Sequence, residues 1–192
     1  MSGVALKVKD LELDQKNPRI TKSSSQRETL QKIIDDQDLK LVVLAESIAE
    51  DGLNPMDRWL VTKSDEHRNK YTVLEGNRRL AAIMILTNVA VLNDLEVRGP
   101  VKKRFQVSQF DVKDLEPIDC FEVDDRKIGV TWINQRHTGQ NMGRGIVNWD
   151  GSPLQDFAGA IPHFRRLSLS RSRENLLTKK KKMLPIAFQF PR

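Results

Sequence analysis

Apolar residues fall in a helical rhythm over some stretches of the chain and in alternation over others. Leu41, Leu44, Ala45 and Ile48 lie at i, i+3, i+4 and i+7, so "LKLVVLAESIAED" predicts an amphipathic helix, and Gly52 stands just past its end. Ahead of it, Leu30, Ile33 and Ile34 predict a second helix, opened by Ser25 with Glu28 three residues on in a capping box. "LKVKDLELDQKNPRI", residues 6–20, reads as a short strand followed by an extended stretch fixed by Pro18. "RWLVTKSDEHRNKYTVLEG", residues 58–76, reads as a hairpin of two apolar strands around a polar turn. In "YTVLEGNRRLAAIMIL", residues 71–86, alternation stops at Gly76 and helical spacing takes over through Leu80, Ile83 and Met84.

Residues 89–117 are charged and show little period, which predicts a short helix with a surface excursion. "PIDCFEV" reads as a buried strand, and "DDRKIGVTWINQRH" as a helix carrying Ile128, Trp132 and Ile133. "TGQNMGRGIVNWDGSP" reads as a loop, in which Trp149 is expected to anchor against a core or edge. The predicted order is β-α-α-β-β-α-β-α. It describes a small α/β domain over residues 1–150, followed by a basic tail over 151–192. That tail shows no sustained period, and a disordered or non-native segment is the expectation for it.

Charge sharpens this division. The chain has 192 residues and a net charge of +6. Residues 161–192 hold nine Lys and Arg against Glu174 alone, whereas the other 160 residues hold 23 bases and 25 acids. Basicity therefore belongs to the tail, where Lys179, Lys180, Lys181 and Lys182 form a candidate nucleic-acid contact. No apolar run is long enough to span a membrane, and the N-terminus lacks a secretory pattern. The single cysteine, Cys120, excludes an internal disulfide framework and a Cys-rich zinc site. A cytoplasmic protein with no membrane partner is the expectation. His67 is expected to be exposed in the hairpin turn, and Glu46, Glu50 and Asp51 to form a solvated helix face.

One feature of the strand–turn–helix opposes ordinary helix electrostatics. Arg78 and Arg79 sit in the first helical turn, where cations face the positive dipole end at a cost of roughly 0.3–1 kcal/mol each. An anion at that spot reverses the sign. Gly76 lets the backbone approach it, the helix start offers free N–H groups, and two guanidiniums neutralise it. Surface arginines answered by Glu75 are the competing reading.

Three blocks in order resemble the N-terminal domain of the ParB family, in the ParB/sulfiredoxin-like superfamily: "NPRI" with "LAESIAEDGLNPM", then "YTVLEGNRRLAA", then "WINQRHTG". The resemblance covers roughly residues 8–150. It implies a mixed α/β (α+β) sheet with flanking helices, and a pocket for the phosphates of a nucleoside triphosphate, CTP or ATP, with Mg2+ as a candidate companion. By position, Gly76, Asn77, Arg78 and Arg79 would cradle the phosphates, with Arg19 and Arg136 nearby. Asn77 replaces the family's glutamate, and "WINQRH" lacks the acid that contributes to the family's magnesium site. No cysteine lies in the Gly-Arg block, against sulfiredoxin chemistry. The helix-turn-helix that follows this domain in partition proteins is not expected here.

The leading expectation is a nucleotide-binding module in a DNA-linked process such as partition, plasmid or phage biology, or defence, with DNA and a second copy of the chain (a homodimer) as candidate partners. A nuclease, NTPase or phosphotransferase on the same scaffold is the alternative, with Glu75 as its catalytic carboxylate. A basic-tailed nucleic-acid binder without nucleotide chemistry is the third.

Overall fold

The computed structural model describes residues 1–107, 111–139 and 141–146. Trp149, the lysine run 179–182 and the expected change of character at 150 lie outside the described residues. Met1–Gly145 forms a compact unit.

Five strands make one mixed sheet: β1 (Ser2–Leu6), β2 (Leu11–Leu13), β3 (Trp59–Lys63), β4 (Tyr71–Glu75) and β5 (Ile118–Glu122), in the order β1-β5-β3-β4-β2. The expected hairpin is present as the antiparallel pair β3–β4, with a register shift between Leu60 and Val61. β2 lies parallel to β4, β5 lies parallel to β3, and β1 closes the other edge antiparallel to β5. The N-terminal stretch thus yields two strands where one was expected. A short 3-10 turn at Val8–Asp10 separates them, and they pair at opposite edges of the sheet.

The predicted helices are α1 (Gln26–Gln37), α2 (Leu39–Asp51), α3 (Asn77–Thr87) and α5 (Arg126–His137). The start of α1 follows its sequence signal. The Ser25 hydroxyl accepts from the Glu28 N–H at 3.1 Å, and the Glu28 carboxylate accepts from the N–H of Ser24 at 2.7 Å. Lys32 and Ser24 hold the Glu28 carboxyl down to about 2, so this clasp is complete above the ordinary carboxylate range and is lost as pH falls toward 2. Gly52 closes α2 at φ +80°.

Alternation divides the sheet into two faces. Trp59, Val61, Val73, Ile118 and Cys120 belong to the core that also holds Leu30, Ile33, Leu41, Ile48, Leu80 and Ile83 of α1, α2 and α3. Leu60 and Leu74 point the other way, and Gly129 of α5 sits on them. A Cβ there would lie 2.6 Å from Leu74 Cδ1 and 3.3 Å from Leu60 Cδ2. Gly129 is the one buried residue of α5. Ile128 and Trp132 are left exposed at 36% and 53%.

The described part of residues 89–117 holds the expected short helix, but it is packed into the core and not left as a surface excursion. These residues form a 3-10 turn at Val89–Asn93 and a helix α4 (Gly99–Val107). Leu92, Val101 and Phe105 are buried in the core. Val101 and Phe105 stand four apart and supply one apolar stripe among lysines, too short to register as a period. Glu46, expected on a solvated face, pairs with Arg104 of α4.

Phe105→Ala is expected to lower unfolding stability by about 3–5 kcal/mol, as for a fully buried aromatic in a core. A chemical-denaturation midpoint close to wild type would place this segment back on the surface.

Candidate functional site

The turn at residues 75–77 is shaped by side chains that look inward. Gly76 has φ +117°, and a Cβ on it would stand 3.0–3.3 Å from the Trp59 indole. Both facts call for glycine there. Asn77 is buried. Its Oδ1 accepts from the Asp14 N–H at 2.9 Å, and its Nδ2 donates to the Val73 carbonyl at 2.6 Å. The amide thereby ties the end of β4 to the chain leaving β2. Asn77 was expected to face the phosphates; its side chain instead serves the fold, and only its backbone N–H remains for a ligand.

The two arginines that follow are not equivalent. Arg79 has an 11% exposed side chain, lies over the Trp59 ring at 5.4 Å, donates to the Asp57 carbonyl and approaches Glu75 at 4.0 Å. Arg78 has no ion pair or hydrogen bond among the described residues, and its Nε is buried without a partner. Burial, and then the Arg19 guanidinium nearby, lower the Arg78 pKa, while Asp36 and Glu75 oppose the shift. The Arg19 side chain is exposed and likewise has no partner among the described residues. The N–H groups of Asn77, Arg78 and Arg79 reach no acceptor among the described residues either. Unmet donors and unmet positive charge thus converge at one helix start.

These groups line a cavity of about 450 Å³. Asn17, Pro18, Arg19 and Ile20 form one wall, residues 74–79 a second, and Ile133, Asn134, Arg136 and His137 of α5 a third. All three sequence blocks therefore meet in one place. Arg136 is paired with Asp57, and His137 Nε2 lies 3.0 Å from Glu75 Oε2. The Glu75 carboxylate is shared between His137 and Arg79, so the candidate catalytic acid is already engaged. α5 is held at its other end by Arg126, which donates to both carboxylate oxygens of buried Asp14 at 2.7 and 2.6 Å.

Sequence reasoning missed Asp57, Asp36 and Gln37 in this lining. Asp57 sits in a short connection with no periodic signal. Asp36 and Gln37 follow Ile33 at i+3 and i+4, a spacing that could have placed them on its face. Elsewhere, His67 is half exposed as expected and lies 2.9 Å from Glu12 in the sheet. Cys120 is fully buried in β5, and its thiol is pushed up to about 12 by burial and then by Asp119, which leaves no thiolate for nucleophilic chemistry. Among the described residues no group of three or more His, Cys, Asp or Glu could hold a metal ion, and no helix is long and apolar enough to cross a membrane.

No family model matches the chain, and no curated protein matches it. Among solved structures it is similar to the C-terminally truncated chromosome-partitioning protein ParB from Caulobacter crescentus complexed with CTP-gamma-S. The two are 13% identical with a TM-score of 0.44, over 90% of this chain and 71% of the other. A TM-score below 0.5 leaves the weight on this chain's own geometry.

Asn77→Asp is expected to destabilise the fold by about 1–3 kcal/mol at neutral pH, because a buried carboxylate would face the Val73 carbonyl in place of an N–H donor. Burial raises the carboxyl's folded-state pKa above its unfolded value, so stability should recover as pH falls through that raised value. Denaturant titrations at pH 7 and pH 5 would show the recovery; equal losses at both would place the amide elsewhere.

Proposed function

We propose that the cavity binds the phosphates of a nucleoside triphosphate, CTP or ATP, at the start of α3. The observation that carries this is the Arg78 guanidinium, half-buried, with a buried Nε that has no partner. Leaving a desolvated charged donor unmet costs about 1–3 kcal/mol or more, and a phosphate oxygen removes that cost. Arg19 supplies a second charge, and the N–H groups of residues 77–79 supply neutral donors. Arg79 and Arg136 stand beside them, held in place by Asp57. A cavity of about 450 Å³ lies within the roughly 300–1,000 Å³ usual for small-molecule sites.

The convergence of the three blocks supports a ParB-like nucleotide-binding module, working in a DNA-linked process such as partition, plasmid or phage biology, or defence. Binding is the function proposed, since Glu75, the carboxylate beside the turn, is already held by contacts with His137 and Arg79.

Isothermal titration with CTP and with ATP should show one site per chain, and Arg78→Ala should weaken it at least tenfold, as expected for a lost charge-assisted contact. Wild-type protein that binds neither nucleotide would overturn the proposal. Arg78→Ala with unchanged affinity would move the phosphates away from this turn.

A further inference from the structure

Three carboxylates line the cavity, and their surroundings differ. Asp57 is tied to Arg136, and Glu75 to His137 and Arg79. Asp36, on the last turn of α1, has no ion pair among the described residues; its contact is the Gln37 amide, whose Nε2 donates to Oδ2. Gln37 is 8% exposed and lines the same cavity. That bond fixes how the buried amide is turned. Its NH2 faces Asp36, and Oε1 is left with no donor among the described residues. The last turn of α1 therefore presents acceptors: Asp36 Oδ1, Gln37 Oε1 and the negative end of the helix dipole. The start of α3 presents donors and cations to the same space.

The cavity is lined by acceptors as well as by donors and cations, so it suits a ligand that joins an anion to groups that donate hydrogen bonds. Resting on the reading of a nucleotide's phosphates at α3, we infer that Asp36 and Gln37 receive the sugar of that nucleotide and select ribose over deoxyribose. Adjacent hydroxyls supply two donors for two acceptors, and a carboxylate is a strong acceptor for a sugar hydroxyl. A deoxy sugar would leave one of these two acceptors without its hydrogen bond. As a mere counter-ion to Arg78, Asp36 would weaken every anion alike; as a sugar acceptor it favours only ligands that carry the diol.

The test titrates the full chain with inorganic tripolyphosphate, CTP, ATP, dCTP and dATP, for wild type and Asp36→Asn. Asp36 is exposed on a helix surface, so its substitution leaves the core intact. Wild type should bind each ribonucleotide about tenfold or more tightly than its deoxy form, and Asp36→Asn should reduce that ratio to about twofold while tripolyphosphate affinity holds. Equal ribo and deoxy affinities in wild type overturn the inference. So does an Asp36→Asn protein that binds all five ligands more tightly, or one whose losses sort by base and not by sugar. If tripolyphosphate and all nucleotides fail to bind wild type, the phosphate reading falls and takes this one with it; tripolyphosphate binding without sugar preference removes this one alone.

Discussion

The Asn77 side chain is the constraint on which the candidate site depends. It accepts from the Asp14 N–H and donates to the Val73 carbonyl, all of it out of water. With those bonds made, the last residues of β4 cannot drift from the chain that leaves β2, and α3 must start where Gly76 reverses direction. Remove the amide and a buried N–H and a buried carbonyl both lose their partner, a penalty larger than the net worth of the bonds themselves. The direction of the α3 dipole, and with it the position of Arg78, follows from this local closure.

Around that fixed start the charges are arranged unevenly. Asp57 pairs with Arg136, and Glu75 lies against His137 and Arg79, contacts that hold α5 and the wall of the cavity in place. Arg78 and Arg19 form no ion pair among the described residues, and the Arg19 guanidinium raises the cost of the Arg78 charge. Two neighbouring cations at a helix start, neither held in an ion pair among the described residues, are unfavourable to folding alone. A fold that retains them carries a local electrostatic imbalance, which an anionic ligand would cancel.

Much of this was legible from residue order. The capping box at Ser25 and Glu28, the closure of α2 by Gly52, the β3–β4 hairpin and the switch of period at Gly76 are local signals, and local chemistry realises each. The three blocks lining one cavity were legible through resemblance. What escaped was set by tertiary packing. Val101 and Phe105 are buried because α2 offers a surface to α4, and nothing within residues 89–117 announces that neighbour. The amide at position 77 was visible; that it turns inward was not, since its partners lie at Asp14 and Val73. Arg78 and Arg79 read alike in sequence and differ only through Trp59 and Asp57, each about 20 residues away along the chain.

Asp14 gathers a further consequence. Its N–H reaches a partner 63 residues on, and its carboxylate one 112 residues on. The loop bearing Pro18 and Arg19 therefore owes its position to segments made much later along the chain. Contacts this distant in sequence form only after large loops close, which delays their entropic repayment during folding. No excised peptide holds the cavity, and a ribosome must release residues well past Arg126 before its walls can meet. The site is a property of the folded domain as a whole.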